Sequence, residues 1–120
     1  MKSAVIIEGL RLPCIIGVYG WERQVRQDLY LDLEMAWPTA GAATGDDVGA
    51  ALDYAKVSER VREFAAGREA QLIETLAEEI AQLLRDEYGV SWLRLRLSKP
   101  GAVAEARNVG VLIERGDQPA

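Results

Sequence analysis

A lysine at the end of a predicted strand is the first residue whose placement suits acid–base chemistry. Residues 93–97 alternate leucine with arginine, so the leucines fall on one face of a strand and the arginines on the other. Regular pairing should stop just after Lys99, at Pro100-Gly101, because proline has no amide hydrogen and glycine opens positive φ. Lys99 is therefore predicted at the tip of a stiff element, a placement that suits a catalytic amine. An ordinary solvated lysine at a strand end fits the same residues.

Two carboxylates and a tyrosine also stand where predicted elements begin or end. Glu22 closes the segment 17–22, which has a glycine on each side of an aromatic residue and predicts an ordered turn. Tyr54 falls in the first turn of a predicted helix that Asp53 caps. Glu74 falls in the first turn of the next helix, where the dipole favours an acid. Glu22 also fits a surface carboxylate, and Glu74 a structural helix-start acid.

The chain has no histidine and one cysteine, which restricts the chemistry it can perform. The usual zinc sites cannot be built within such a chain, so no metal site is predicted. Ser-His-Asp and Cys-His mechanisms are excluded as well. Acid–base work must therefore fall to lysine, tyrosine, glutamate or aspartate, directly or through water.

Composition predicts one globular domain over residues 1–120, with 49% hydrophobic and 28% charged residues. The net charge of −5 argues against a nucleic-acid partner. The apolar run at residues 4–7 is too short for a signal peptide or a membrane span. Because Cys14 has no partner for an internal disulfide, a reducing, cytoplasmic location is expected.

The hydrophobic pattern predicts four strands and two helices. Alternation indicates strands at 4–16, with a bulge at Gly9, at 27–37, at 92–98 and at 108–114. Helical spacing indicates helices at about 54–64 and 71–87, the second with Leu72 in its apolar stripe. The order ββααββ predicts an α+β fold, a four-stranded antiparallel sheet with two helices packed on one face.

The polar faces of two predicted strands carry opposite charges. Asp32 and Glu34 give the 27–37 strand an acidic face, whereas Arg94 and Arg96 give the 92–98 strand a basic one. If the two strands share a sheet, this face is charge-complementary and suited to water. Two free sheet edges beside such a face favour edge-to-edge oligomerisation.

Five segments together resemble the dihydroneopterin aldolase family along essentially the whole chain. They are IGVYGWE at 16–22, LDY at 52–54, LIETLAE at 72–78, LSKPGAV at 97–103 and NVGVLIERG at 108–116. The resemblance implies a tunnelling fold (T-fold), in which four copies close their sheets into a ring and two rings stack into an octamer. It also implies a small-molecule pterin substrate and a role in tetrahydrofolate biosynthesis.

The reaction that the resemblance implies is a retro-aldol cleavage. Family members split 7,8-dihydroneopterin into 6-hydroxymethyl-7,8-dihydropterin and glycolaldehyde, and epimerise it to dihydromonapterin through the same intermediate. The ring imine of the dihydropterin can accept the electrons of the broken bond. No cofactor, Schiff base or metal is therefore expected.

The resemblance also implies roles for individual residues. Lys99 matches the acid–base lysine, and Tyr54 matches a tyrosine that assists proton transfer near the ring. Glu74 matches the carboxylate that anchors the pterin, and Ile73 would offer backbone contact. Glu22 matches a glutamate that binds substrate near the reacting centre. Because these residues come from distant segments, a pocket between neighbouring subunits is expected.

Two alternatives remain open at this point. The first is the paralogous epimerase acting on dihydroneopterin triphosphate, which should favour a basic pocket, although the segment 98–103 is more similar to the aldolase. The second is a non-catalytic ring-forming or pterin-binding module. Zinc-dependent pterin enzymes of the same fold are excluded by the missing histidines.

Overall fold

A single antiparallel sheet with helices on one face organises the chain. The computed structural model describes residues 3–117. In chain order the elements are β1 (Ala4–Cys14), a 3₁₀ turn (Gly20–Gln24), β2 (Gln27–Ala36), α1 (Thr39–Ala43), a second 3₁₀ turn (Val48–Ala50), α2 (Tyr54–Gly67), α3 (Ile73–Tyr88), β3 (Trp92–Ser98) and β4 (Gly110–Gly116). The strands lie in the order β1-β2-β3-β4, and every neighbouring pair is antiparallel. The predicted α+β architecture and its ββααββ order are confirmed, with the short helix α1 added.

The alternation of β2 and β3 produces the two faces of the sheet. Leu31 pairs with Leu97 and Leu33 pairs with Leu95, and all four side chains are buried under the helices. On the opposite face, Glu34 pairs with Arg94. The predicted charge-complementary face is therefore confirmed, and a slip of one residue would exchange the two faces.

The helices cover the leucine face of the sheet. Helix α2 packs on β1, and α3 packs on β3 and β4. Their inward stripes are fully buried and follow helical spacing: Val57, Val61 and Ala65 on α2, and Leu76, Ile80 and Leu84 on α3. Burial of each leucine or isoleucine stabilises the fold by about 1.5–3 kcal/mol. This core fixes the position of the C-terminal end of β3 relative to the start of α3, and these two places form the site described below.

A β-bulge bends the long hairpin of β1 and β2. The register shifts between Ile7 and Leu10, and Gly9 there adopts φ +66°. The Gly9 amide donates a 2.7 Å hydrogen bond to the Asp32 carboxylate across the strands. The bulge predicted at Gly9 is confirmed.

Several predicted boundaries are wrong by a few residues. Helix α3 begins at Ile73, because Leu72 is extended at φ −111° and ψ 139°. Leu72 is 48% exposed, so its predicted place in the buried stripe is wrong. Strand β4 begins at Gly110, two residues later than predicted, where it pairs with Ser98. The part of the predicted loose tail at 118–120 lies outside the described residues.

The face of the sheet opposite the helices is uncovered within one chain. Ile6 and Leu112 on this face are 56% and 55% exposed. A depression of about 470 Å³ lies between them, lined by the charged side chains of Asp32, Glu34, Arg94 and Arg96. Across residues 3–117, no helix has the length and apolar character needed to span a membrane.

Candidate active site

Lys99 stands at the end of β3, as predicted. The Lys99 amide donates a 2.7 Å hydrogen bond to the Val109 carbonyl, which extends the β3–β4 pairing one residue beyond Ser98. The chain then turns through Pro100 to Gly101, which has φ +80°. The Lys99 side chain is only 15% exposed, so the interpretation of an ordinary solvated lysine is wrong.

Glu22 provides the partner of this lysine. Its Oε2 atom lies 2.7 Å from Lys99 Nζ and also accepts a 3.2 Å hydrogen bond from Gln27 Nε2. Its Oε1 atom accepts a 3.3 Å hydrogen bond from the Tyr19 amide. The Glu22 side chain is 7% exposed, so its interpretation as a surface carboxylate is also wrong.

The environment of Glu22 favours the ionised carboxylate. The hydrogen bond from Lys99 lowers the pKa of Glu22, and the donors on Gln27 and Tyr19 act in the same direction. Burial alone would raise this pKa, and the donors outweigh it. Lys99 and Glu22 therefore face each other as a charged, hydrogen-bonded pair.

A glycine makes room for the Glu22 carboxylate. Gly17 has φ +127°, a backbone conformation that other residues rarely adopt. A Cβ atom at Gly17 would lie 2.3 Å from Cδ of Glu22, which is closer than any real contact. The carboxylate thus packs directly on the Gly17 backbone, and the predicted turn at 17–22 is what fixes it.

The start of α3 forms the opposite wall of the site. Glu74 lies in the first turn of the helix, as predicted, and its side chain is exposed. Leu72 occupies the N-cap position and forms no side-chain capping bond, so first-turn amides remain available to a ligand. Ile73 begins the helix beside them.

One cleft of about 300 Å³ joins these two walls. Glu22, Ile73, Glu74 and Lys99 all line it. Val18, Tyr19, Trp21 and Leu72 form an apolar rim, and each is roughly half to two-thirds exposed. The cleft therefore combines a buried ion pair, an exposed carboxylate and apolar surface, and a few polar groups in an apolar pocket are typical of a small-molecule site.

Tyr54 lies elsewhere in the chain. It is the first residue of α2 and is 64% exposed. The predicted cap is present, because Asp53 Oδ1 accepts a 3.1 Å hydrogen bond from the Lys56 amide. Tyr54 is not among the residues that line the cleft. The structure thus brings four of the five predicted site residues together within one chain.

The sequence interpretation missed Gln27, whose side chain bonds to Glu22. Its only sequence signal was its position at the first residue of a clear strand.

Within residues 3–117 there is no cluster of three or more His, Cys, Asp or Glu side chains able to hold a metal ion. Cys14 is a buried free thiol, and burial raises its pKa to about 11.

Comparisons with known proteins show the family of this chain. The family model described as FolB: Dihydroneopterin aldolase matches residues 5–114. Dihydroneopterin aldolase of Escherichia coli strain K12 is 49% identical over 113 residues, which cover 94% of this chain and 93% of that protein. The crystal structure of E. coli dihydroneopterin aldolase in complex with neopterin superposes with a TM-score of 0.92 at 48% identity, covering 96% of this chain and 100% of that one.

A paralogue is considerably more distant. Dihydroneopterin triphosphate 2'-epimerase of E. coli strain K12 is 26% identical over 112 residues, which cover 92% of this chain and 93% of that protein. The likeness to the aldolase structures confirms the T-fold of the single chain expected from the sequence. The chain belongs to the dihydroneopterin aldolase family.

Proposed function

We propose that the cleft between the Lys99–Glu22 pair and the start of α3 is where this chain cleaves 7,8-dihydroneopterin. The products are 6-hydroxymethyl-7,8-dihydropterin and glycolaldehyde, in the biosynthesis of tetrahydrofolate. The observation that carries this proposal is the buried 2.7 Å pair of Lys99 and Glu22, opening into the cleft that Glu74 also lines. An aldolase belongs to the lyases, the class of the curated relatives.

The reaction needs two proton transfers around one carbon–carbon bond. A base takes the proton of the second side-chain hydroxyl, and the bond between the first and second side-chain carbons breaks. Its electrons move into the ring imine and give an enamine, while glycolaldehyde leaves. An acid then protonates the enamine carbon, which restores the imine and yields the hydroxymethyl group. The protein must supply this base and acid and must hold the ring in line with them.

Lys99 is the group we assign to these proton transfers, directly or through a water molecule. In its amine form Lys99 takes the hydroxyl proton, and the ammonium so formed gives a proton to the enamine carbon. Glu22 holds this nitrogen in place, and its carboxylate also accepts hydrogen bonds from Gln27 and Tyr19. Four groups thus fix one geometry around the reacting side chain of the substrate. Glu22 is left with acceptor capacity toward the substrate hydroxyls.

Glu74 is the group we assign to anchoring the pterin ring. Its two oxygens can accept paired hydrogen bonds from the ring amino group and the neighbouring ring N–H, a bidentate geometry with high selectivity. The uncapped start of α3 at Ile73 offers amide donors to the ring carbonyl. Replacing Glu74 with glutamine removes one acceptor and the charge, so we expect binding of neopterin to weaken roughly 10- to 100-fold. Unchanged affinity in a calorimetric titration would contradict the anchoring role.

A neighbouring copy of the chain is the source we propose for Tyr54. Its exposure at the start of α2, outside the cleft of its own chain, supports this assignment. The uncovered sheet face and the free edges of β1 and β4 support a ring of four copies. Two such rings would stack into an octamer. In that ring the charged face would line a central tunnel.

Complementation tests the shared site. Lys99→Ala and Tyr54→Phe chains, each of low activity alone, should regain activity when co-expressed, because some mixed sites then hold both native residues. No recovery in oligomers shown by native mass spectrometry to be mixed would contradict a site shared between chains.

Two observations favour aldol cleavage over the epimerase alternative. Among residues 3–117, Lys99 is the one cation that lines the cleft, and it is paired with Glu22. In the cleft formed by these residues, a triphosphate would meet the Glu74 carboxylate and no cationic side chain other than the paired Lys99. Epimerisation of dihydroneopterin itself passes through the same enamine, so dihydromonapterin is expected as a side product. The cytoplasmic location remains the expectation drawn from the lone cysteine.

Product analysis tests the reaction. The purified chain should release glycolaldehyde from 7,8-dihydroneopterin, and the rate should be unchanged in excess chelator. Formation of the epimer alone would favour the epimerase, and no turnover with intact pterin binding would favour the non-catalytic module.

A further inference from the structure

The side chain of Arg23 connects the two walls of the cleft. Its Nη1 atom donates a 3.1 Å hydrogen bond to the Gly17 carbonyl and a 2.9 Å hydrogen bond to the Ala70 carbonyl. Its Nη2 atom donates to the Glu69 carbonyl. One guanidinium therefore joins the backbone at Gly17 to the backbone at Glu69 and Ala70, more than fifty residues further along the chain.

Each end of this connection lies directly behind a part of the site. Gly17 is the residue on which the Glu22 carboxylate packs. Ala70 is 2% exposed and stands three residues before Ile73, where α3 and the ring-anchoring wall begin. A change in the distance between these two carbonyls would therefore change the distance between Glu22 and Glu74.

Arg23 donates its hydrogen bonds to backbone carbonyls and not to carboxylates. Within residues 3–117, no carboxylate lies within salt-bridge distance of its guanidinium, and Arg23 is not among the groups that lower the pKa of Glu22. A planar guanidinium holds its donors in a rigid fork, so it fixes several carbonyls at once in a way that a lysine ammonium does not.

We propose that Arg23 is a positioning residue that sets the separation between the Lys99–Glu22 pair and the Glu74 anchor. This inference rests on the proposed site. A substrate that spans both walls reacts only when its ring and its side chain are held in register, and a misplacement of about 1 Å can lower the rate about 100-fold. A ligand that contains only the ring touches the α3 wall and is indifferent to that separation.

The test compares turnover with ring binding in Arg23→Met, which keeps the apolar stem and removes the donors. We expect kcat/KM for 7,8-dihydroneopterin to fall about 10- to 100-fold, mainly through kcat. The dissociation constant for 6-methylpterin, which has the ring without the cleavable side chain, should change by less than about twofold. Arg26→Met is the matched control, because Arg26 lies three residues away and its one side-chain hydrogen bond within residues 3–117 is a 3.5 Å contact with the Ala66 carbonyl. Its kcat/KM should remain at the wild-type value.

Arg23→Lys keeps the test decisive if the methionine variant does not fold. We expect this variant to fold, because the charge and stem remain, and yet to lose about fivefold or more in kcat/KM, because an ammonium cannot bridge all three carbonyls. Wild-type kcat/KM in either folded variant would overturn the proposal. An equal loss of 6-methylpterin binding and turnover would overturn it too, because Arg23 would then only support the ring wall. An active Lys99→Ala variant would instead refute the proposed site, so the two failures are distinguishable.

Discussion

The lysine that follows strand β3 and the arginine in the middle of that strand differ in what surrounds them. Lys99 at its end lies 2.7 Å from Glu22, with side chains 15% and 7% exposed. Arg94 in its middle lies 3.8 Å from Glu34 and 4.0 Å from Glu114, with side chains about half exposed. Two charges about 4 Å apart interact by only about 1 kcal/mol in water, and several times more strongly where water is largely excluded.

The difference shows that burial and additional donors, rather than the charges themselves, distinguish a site from a surface. Glu22 accepts hydrogen bonds from three donors, and its carboxylate packs on the backbone of Gly17, where a larger residue would leave no room for it. Glu34 has one distant arginine on an open face. The first arrangement can hold one geometry for chemistry, whereas the second chiefly keeps a sheet face wet and complementary.

The largest expected effect comes from removing the buried cation. Lys99→Ala should fold, because Glu22 keeps its hydrogen bonds from Gln27 and Tyr19. It should lose about 10³-fold in kcat, as expected when a general acid–base group is removed. Binding of 6-methylpterin should persist. Arg94→Ala on the same strand is the matched control and should retain wild-type kcat. Near-normal cleavage by Lys99→Ala would remove lysine from the mechanism.

A smaller effect should follow from displacing the anion without changing its charge. Gly17→Ala places a Cβ atom 2.3 Å from Cδ of Glu22 and imposes φ +127° on alanine. The carboxylate must move away from Lys99, so we expect kcat/KM to fall about 10- to 100-fold. Gly20→Ala in the same turn has nothing within 4 Å of the new Cβ and should behave as wild type. Equal activity of the two variants would show that the position of Glu22 is unimportant.

The same contrast explains which features the sequence predicted. Local sequence patterns predicted the two sheet faces, the bulge at Gly9 and the cap at Asp53, because each of these features depends on neighbours a few residues away. The burial of Glu22 could not be predicted in that way. Its main partner is Lys99, 77 residues further along the chain, and the segment around it carries no distinct periodicity.

Leu72 shows the opposite failure. Its spacing matches the buried stripe of α3, yet it is extended and exposed at the rim of the cleft. Helical periodicity alone cannot place the first residue of a helix, because the residue before it can share the apolar pattern without the conformation. The resemblance to a family supplied Tyr54 as a site residue, and Tyr54 does not line the cleft that residues 3–117 of its own chain form.

Acid should weaken the buried pair selectively. The pKa of Glu22 is lowered below its ordinary value of 4.5, so the folded carboxylate binds fewer protons than the unfolded one. Its stabilising contribution is therefore complete above pH 4.5 and is lost as the pH falls through the folded pKa. We expect Glu22→Gln to be less stable than wild type by about 1.5–3 kcal/mol at neutral pH. Denaturant titrations should show this difference closing as the pH falls below 4.5. A difference independent of pH would show that the ion pair does not supply it.

The smallest expected effect belongs to the open face. Glu34→Gln removes a 3.8 Å contact between side chains that are 41% and 47% exposed, and exposed pairs of this kind contribute about 0–1 kcal/mol. The free energy of unfolding should therefore fall by less than about 1 kcal/mol, and moderate salt should remove the difference because solvent ions screen exposed charges. Catalysis should be unchanged, since Glu34 lies on the side of the sheet away from the cleft. A loss of stability as large as that of Glu22→Gln would mean that the open face is covered in the assembled protein and that its charges are desolvated there. The ring proposed above, with a water-filled tunnel, predicts the small value.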